Sequence, residues 1–422
     1  MLLFVYYRTS IANRAFRVNR GKISKLVRTN LYIARVLELA VKYCMECKFI
    51  KHGIALSYDQ IVKPCCAWET SDFWRQHNHY QKIDFAGWHQ SPQVLSVRET
   101  LESGQWPTDC SRCERIEAQS RQDSIRGNGN QAYADYKNDD ITLEIRPGST
   151  CNFACQTCWP EASSRVAQYY SQAGLIDVTS LNSQRLDNFE FLLPIAHRIK
   201  DVVLLGGEPF YDKSCLRFLE WAQKNLMSHI MMFTNGSTVD HDWLKNYPGK
   251  MTVIFSIDAV GSPAEYVRFG SVWSDILENY KLVRGYKNIE VRVNITCSIY
   301  NYAYMEKLIE FLCQDWPDVV TFGAPHNVHF LESVIPTSNR PELMASLQRS
   351  IMCLEKTDIE SGQKSNAINA VKSIINNLEN IAWDQINYKK LCDFILKMDH
   401  LKNISLHEYC PDTHNILQQN IC

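Results

Sequence analysis

ITLEIRPGSTCNFACQTCWPE, residues 141–161, places Cys151, Cys155 and Cys158 within eight residues, directly after the strand-like run LEIR. Three thiolates this close can point into one small loop, and three soft ligands suit an iron–sulfur cluster better than any hard cation. The odd number carries information. A closed structural zinc site takes four protein ligands, whereas three leave one metal position open for something that reacts. The triplet alone also admits a zinc site with a distant fourth ligand, or ordinary buried thiols.

Downstream of the loop the pattern strand, loop, helix repeats. Strands are expected at 141–146, 201–205, 229–234, 251–257, 289–296 and 318–323, and helices at 161–173, 212–226, 240–246, 274–286 and 303–315. Alternation of this kind implies a parallel sheet with right-handed crossovers, and about six units suit an open, partial barrel. In such α/β architectures chemistry collects at the carboxyl ends of the strands. The motifs fall there. Gly206, Gly207 and Glu208 end the run DVVLL; two glycines let backbone approach a ligand, and the carboxylate can accept from an ammonium group. Ser256 and Asp258 in VIFSID share one face of a strand exit and suit sugar hydroxyls. Asn294 and Thr296, with Arg292 on the same face, close VRVNITC, and Thr234 and Asn235 close the third strand. Any one of these is an ordinary polar loop residue by itself; a row of them facing one cysteine loop is harder to explain as packing.

Upstream lies a second set of thiols: Cys44 and Cys47, then Cys65 and Cys66, then Cys110 and Cys113. GIALSY and IVKPCC read as two short strands around Asp59–Gln60, which carries the CC pair back beside Cys47. Trp68, Phe73, Trp74, Phe85 and Trp88 supply apolar bulk. Four ligands drawn from Cys47, one of Cys65 or Cys66, Cys110 and Cys113 would close a site, and a lobe with so little secondary structure needs such a staple. Zinc and an iron–sulfur cluster both remain open here. Residues 121–140 are polar and rich in Gly and Asn, which reads as a linker. Residues 1–43 are basic and read as a solvated helical extension, an upstream start before Met45, or an arm for an anionic partner. The stretch after residue 330 reads as helical at 340–357, 364–379 and 384–399, placed to cover the open side of the barrel.

A chain of 422 residues with net charge −1 gives no global case for nucleic-acid binding. Its 16 cysteines cluster instead of forming an evenly spaced secreted framework, which points to a reducing, cytoplasmic compartment. No run approaches the roughly 18 apolar residues of a membrane span, and MLLFVYY meets Arg8 too soon for a signal-peptide core. A soluble protein without membrane contact is expected.

In this order and on this pattern, CNFACQTC (151–158), GGEP (206–209), TNGS (234–237) and FSIDAVG (255–261) resemble the radical S-adenosylmethionine enzymes. HGIALSYDQIVKPCC, the Cys110/Cys113 pair and the closing LCDFILKMDHLKNISLHEYCPD look like the subgroup with an N-terminal twitch or SPASM-like auxiliary-cluster lobe. The resemblance spans roughly residues 44–415. It implies an α/β fold: a partial (β/α)6 barrel at 141–330, a cysteine-rich auxiliary lobe at 44–120 and a C-terminal helical region at 331–422. It implies that Cys151, Cys155 and Cys158 hold a [4Fe–4S] cluster whose fourth iron binds S-adenosylmethionine. Gly206, Gly207 and Glu208 would meet the ammonium group, Ser256 and Asp258 the ribose, and Asn294 with backbone near Phe322–Ala324 the carboxylate and adenine. A second, auxiliary cluster would sit on Cys47, Cys65 or Cys66, Cys110 and Cys113. Thr157 stands where the family often has an aromatic residue, with Trp159 just after.

Reductive cleavage of the cofactor, fed by an external one-electron donor of flavodoxin or ferredoxin type, would give a 5′-deoxyadenosyl radical that takes a substrate hydrogen atom. Auxiliary lobes of this kind point to a ribosomally made precursor peptide as substrate. Cys353 and Cys410, in the segments expected to lid the site, are candidate hydrogen donors for Cα epimerisation, each also readable as a small buried hydrophobe. The alternatives are oxidation or rearrangement of a sugar, nucleoside or alcohol, and a non-catalytic metal-cluster protein that docks a partner.

Overall fold

The computed structural model describes residues 45–118, 124–177, 184–325, 327 and 330–417. The basic extension expected at 1–43, and Cys44, lie outside the described residues. The described chain divides into two compact units: a smaller one within 45–55 and 61–143, and a larger one within 56–60 and 144–417.

In the smaller unit β1 (Gly53–Ser57, whose last two residues belong to the larger unit) lies beside β2 (Val62–Lys63), as the two short runs in the sequence suggest. Short helices make up the rest. Ser71 caps Asp72–His77 by accepting from Trp74 N, and Ser91 caps Pro92–Glu102 by accepting from Val94 N. Its core has two aromatic parts. Trp68, Trp74 and Trp88 are buried, with ring centroids 4.5 and 6.1 Å apart in sequence order, while Phe73 is 62% exposed and stacks on His77 instead. The second part is Phe49, Ala67, Cys113, Ile125 and Tyr133.

Two of those residues come from the stretch expected as a linker. Residues 125–132 form the helix Ile125–Ala132, capped by Ser124 Oγ accepting from Gly127 N at 2.8 Å. Gly129 is needed there, because a Cβ would stand 2.2 Å from the Phe49 ring. Gly129, one of the glycines that suggested a loop, is therefore a packing position.

The larger unit is α/β. β3 (Ile141–Arg146, whose first three residues belong to the smaller unit), β4 (Ile199–Leu204), β5 (His229–Thr234), β6 (Met251–Ser256), β7 (Ile289–Thr296) and β8 (Val319–Gly323) follow one another in the sheet as in sequence. β4 to β8 pair in parallel, in a register that sets Leu204 beside Met232, Thr234 beside Phe255, and Ser256 beside Asn294. One face carries Val202, Leu204, Ile230, Met232, Val253, Phe255, Val291, Val293 and Ile295, all closed to solvent. The helices Lys213–Asn225, His241–Asn246, Trp273–Arg284 and Met305–Gln314 occupy the crossovers that parallel strands require.

The three expected C-terminal helices are Arg340–Lys356, Ser361–Asn380 and Gln385–Lys402. The first packs on Met305–Gln314, the second reaches β8, and the third packs on the helix Ser164–Gln172. Among the described residues no helix is long and apolar enough to cross a membrane.

Candidate functional site

The loop after β3 owes its shape to polar groups that serve two structures at once. Asp212 caps the helix Lys213–Asn225, accepting from Ser214 N and Cys215 N, and its other oxygen accepts from Thr150 N at 2.6 Å. Ser163 caps Ser164–Gln172 by accepting from Val166 N, and its hydroxyl donates to Phe153 O at 3.0 Å. Ala154 N and Gln156 N donate to Phe269 O and Val267 O, both at 2.8 Å, so the backbone on either side of Cys155 is tied to the chain after β6.

The glycine–glutamate turn presses on this loop. A Cβ on Gly207 would stand 2.1 Å from Thr150 O, and one on Gly206 would stand 2.8 Å from Cys215 Sγ. Gly207 is therefore required by backbone-on-backbone packing and Gly206 by the Cys215 sulfur, reasons the sequence did not offer. Glu208 N donates to Thr150 O at 3.0 Å. The Glu208 carboxylate is fully buried and accepts from Thr234 Oγ1 at 2.7 Å and Asn235 N at 2.6 Å. Burial pushes it up to about 7 against those hydrogen bonds. Asn235 closes the circle: its Nδ2 donates to Asn152 Oδ1 at 2.9 Å and lies 3.9 Å from Cys151 Sγ.

On the sheet, Ser256, Asn294 and Thr321 stand in one row across β6, β7 and β8, and Thr321 Oγ1 donates to Asn294 Oδ1 at 2.9 Å. Thr321 was not singled out from sequence, where a Thr inside VVTFG looks like any strand residue. Asp258 is buried; it pairs with Arg268 at 2.8 Å and accepts from Thr296 N at 2.7 Å, binding the exits of β6 and β7 together. Near Phe322–Ala324, the Gly323 carbonyl accepts from Cys297 N at 2.7 Å.

Burial pushes the thiols of Cys151, Cys155 and Cys158 up, Cys158 to about 12, and Cys155 raises both of the others further. Arg268 and Lys402 oppose this at Cys155. Arg268 is pulled down by burial, but Asp258 and the three thiols more than offset that. Neither cation was visible in the sequence as part of the site, because each lies more than a hundred residues from the loop.

In the smaller unit Cys47, Cys65, Cys66 and Cys113 all pack at the Phe49–Tyr133 core. Burial raises the Cys65 thiol, and Cys66, Cys47, Cys110 and Cys113 raise it further. Cys110 is likewise raised by burial, then by Cys47 and Cys113. Beside them Arg126, 3% exposed, donates from Nε to Glu117 Oε1 at 2.8 Å and from Nη1 to Glu46 O at 2.8 Å, with its guanidinium 5.4 Å from the Trp106 ring centre.

Among the described residues no group of three or more His, Cys, Asp or Glu is placed to hold a metal ion. The case for a soft-metal centre therefore rests on donor chemistry. Three thiols in one loop, each within electrostatic reach of Arg268, are a donor set that fits an iron–sulfur group, since thiolates need compensating charge once buried.

The two tail cysteines differ. Cys353, half-buried on Arg340–Lys356, is hydrogen-bonded with Cys313 of the neighbouring helix. Cys410 is closed to solvent, its thiol raised by burial and then by Asp399 and Asp412.

No family model and no curated protein matches this chain. Among solved structures, it is similar to anSMEcpe with bound AdoMet, at 20% identity over 44% of this chain and 52% of that one, TM-score 0.34. The same enzyme with AdoMet and the Kp18Cys peptide gives 20% over 50% and 59%, TM-score 0.34. Streptococcus suis SuiB bound to S-adenosylmethionine gives 13% over 66% and 63%, TM-score 0.32. The chain spans about half the length of the first of these. At such scores the reading of the site stands on its own geometry.

Proposed function

We propose that this chain is a radical S-adenosylmethionine enzyme that acts on a peptide. One observation supports the reading above others: the loop of Cys151, Cys155 and Cys158, the Gly206–Glu208 turn and the β5 exit at Asn235 form one contiguous hydrogen-bonded assembly. Cys151, Cys155 and Cys158 would hold a [4Fe–4S] cluster, and the Gly206–Glu208 turn would receive the amino group of the cofactor. Ser256 and Asn294, on one row of the sheet, would face its ribose and carboxylate, with Asp258 holding the strand exits that carry them. Bound there, the cofactor supplies a hydrogen-abstracting carbon radical; the protein's part is orientation and exclusion of water.

In the smaller unit Cys47, Cys65, Cys110 and Cys113 would form the auxiliary site. Cys65 is the candidate fourth ligand on the strength of its interactions with the other three thiols. Arg126 supplies positive charge beside them.

The narrower reading is Cα epimerisation, with Cys410 or Cys353 returning hydrogen. Cys410 is the better placed of the two: it shares the neighbourhood of Asp399 with Lys402, whose ammonium touches the cysteine loop.

Anaerobic reconstitution with iron and sulfide, followed by reduction in the presence of S-adenosylmethionine, should yield 5′-deoxyadenosine from wild-type protein and none from Cys151→Ala. Equal product from both would overturn the assignment of the loop. For the epimerase version, Cys410→Ala or Cys353→Ala should keep deoxyadenosine formation and lose solvent deuterium in the peptide. Unchanged deuteration in both variants removes that version alone.

A further inference from the structure

Lys402 is the last residue of the helix Gln385–Lys402, 8% exposed, in a position where an unpaired lysine is rare. Asn403, at φ 52, ends the helix, and Ile404 N donates to Asp399 O at 3.1 Å, so the side chain leaves from a fixed terminus. Its Nζ donates to Ala154 O and to Gln156 Oε1, both at 2.9 Å. These are the two residues flanking Cys155. The ammonium also lies 5.7 Å from the Tyr169 ring centre and 5.3 Å from that of Phe269.

Both of these hydrogen-bond acceptors are neutral. Asp399, one turn earlier, directs its carboxylate to Tyr266 OH at 2.7 Å and Leu406 N at 2.7 Å. Arg165, a like charge, donates to Asn152 O on the same loop. A buried charge with neutral acceptors gains most when negative charge develops beside it. The two hydrogen bonds hold the ammonium on either side of Cys155, where Cys155, Asp399 and Cys158 all favour its charged form.

We propose that Lys402 is a positioning residue: the C-terminal helix uses it to fix the turn at Cys155 and to place a positive charge beside whatever the three thiolates bind. The second half rests on the iron–sulfur reading above; the first half does not. Added positive charge favours the reduced form of a cluster, so the charge should raise its reduction potential.

The test uses the full chain and three variants. In metal-free protein, Lys402→Met should speed amide hydrogen exchange at Ala154 and Gln156 about tenfold, with Lys402→Arg close to wild type. In reconstituted protein, the EPR signal that responds to S-adenosylmethionine should lose about tenfold in its one-electron reduction equilibrium, ~59 mV, in Lys402→Met and Lys402→Gln, and recover in Lys402→Arg. Lys402→Gln keeps a donor for both acceptors, so it isolates the charge and serves if Lys402→Met does not fold. Wild-type exchange rates in Lys402→Met overturn the loop-fixing role, and an unchanged midpoint in folded Lys402→Gln overturns the charge role. Should Cys151→Ala bind as much iron as wild type, the iron–sulfur reading and the charge role fall together, while the exchange result still decides the loop.

Discussion

The two groups of cysteines are built by opposite means. Cys151, Cys155 and Cys158 lie within eight residues, and their loop is moulded by caps, carbonyls and glycine contacts that exist without any metal: Asp212 to Thr150, Ser163 to Phe153, Lys402 to Ala154. Cys47, Cys65, Cys110 and Cys113 span 67 positions of sequence. Their segments are drawn together by a small aromatic core and the Arg126–Glu117 pair. The first group is held by a frame; the second is part of the frame. Metal at the loop should therefore matter for reaction, and metal at the lobe for folding.

Removing metal from reconstituted protein with a chelator gives the largest test of that contrast. Amides of the smaller unit should lose most of their protection, since structural metal binding is worth about 10 kcal/mol or more to small domains, while amides of β4 to β8 keep theirs. Equal loss in both units would erase the distinction.

Next in size is Arg126→Met. It leaves the Glu117 carboxylate with Ser124 Oγ but without its charged partner, and breaking such a buried pair costs about 3–5 kcal/mol. Denaturant melts followed by the tryptophans of the smaller unit should show it, whereas the carboxylate-anchored loop of the larger unit should be untouched.

Glu208→Gln probes the frame around the loop. The folded carboxyl sits at about 7 against an ordinary 4.5. Because it is raised, the stability it contributes is complete below 4.5 and is lost as the pH rises through about 7. Wild type should lose about 3 kcal/mol relative to Glu208→Gln across that window. A flat difference would mean that Thr234 and Asn235 hold the carboxylate ionised throughout.

The smallest effect separates neighbours. Cys66→Ser should leave the iron content per chain unchanged, while Cys65→Ser should lower it by the share of one cluster. The reverse result would move the auxiliary ligand to Cys66.

Much of the larger unit was legible beforehand. All six strands and the five crossover-type helices fall within a few residues of their expected places, because hydrophobic period and caps act over short range. The smaller unit was less so. IRGNGNQA reads as loop by composition, yet Gly129 is fixed by the Phe49 ring and Arg126 by Glu117. Phe73 looked like core and stacks on His77 at the surface, since which face of a short helix is covered depends on distant chain.

By itself the sequence determined the alternation that makes a parallel sheet, the three-thiol loop after its first strand and the polar exits that follow. Those are properties of residue type at short spacing, where backbone geometry leaves few choices. Only the tertiary structure decided that Gly207 lets two backbones touch, that Cys65 lies within electrostatic reach of the other lobe thiols, and that Arg268 and Lys402 stand beside the loop. Charges act across space and not along the chain, so a lysine 247 positions after Cys155 can sit beside it with no trace in the spacing.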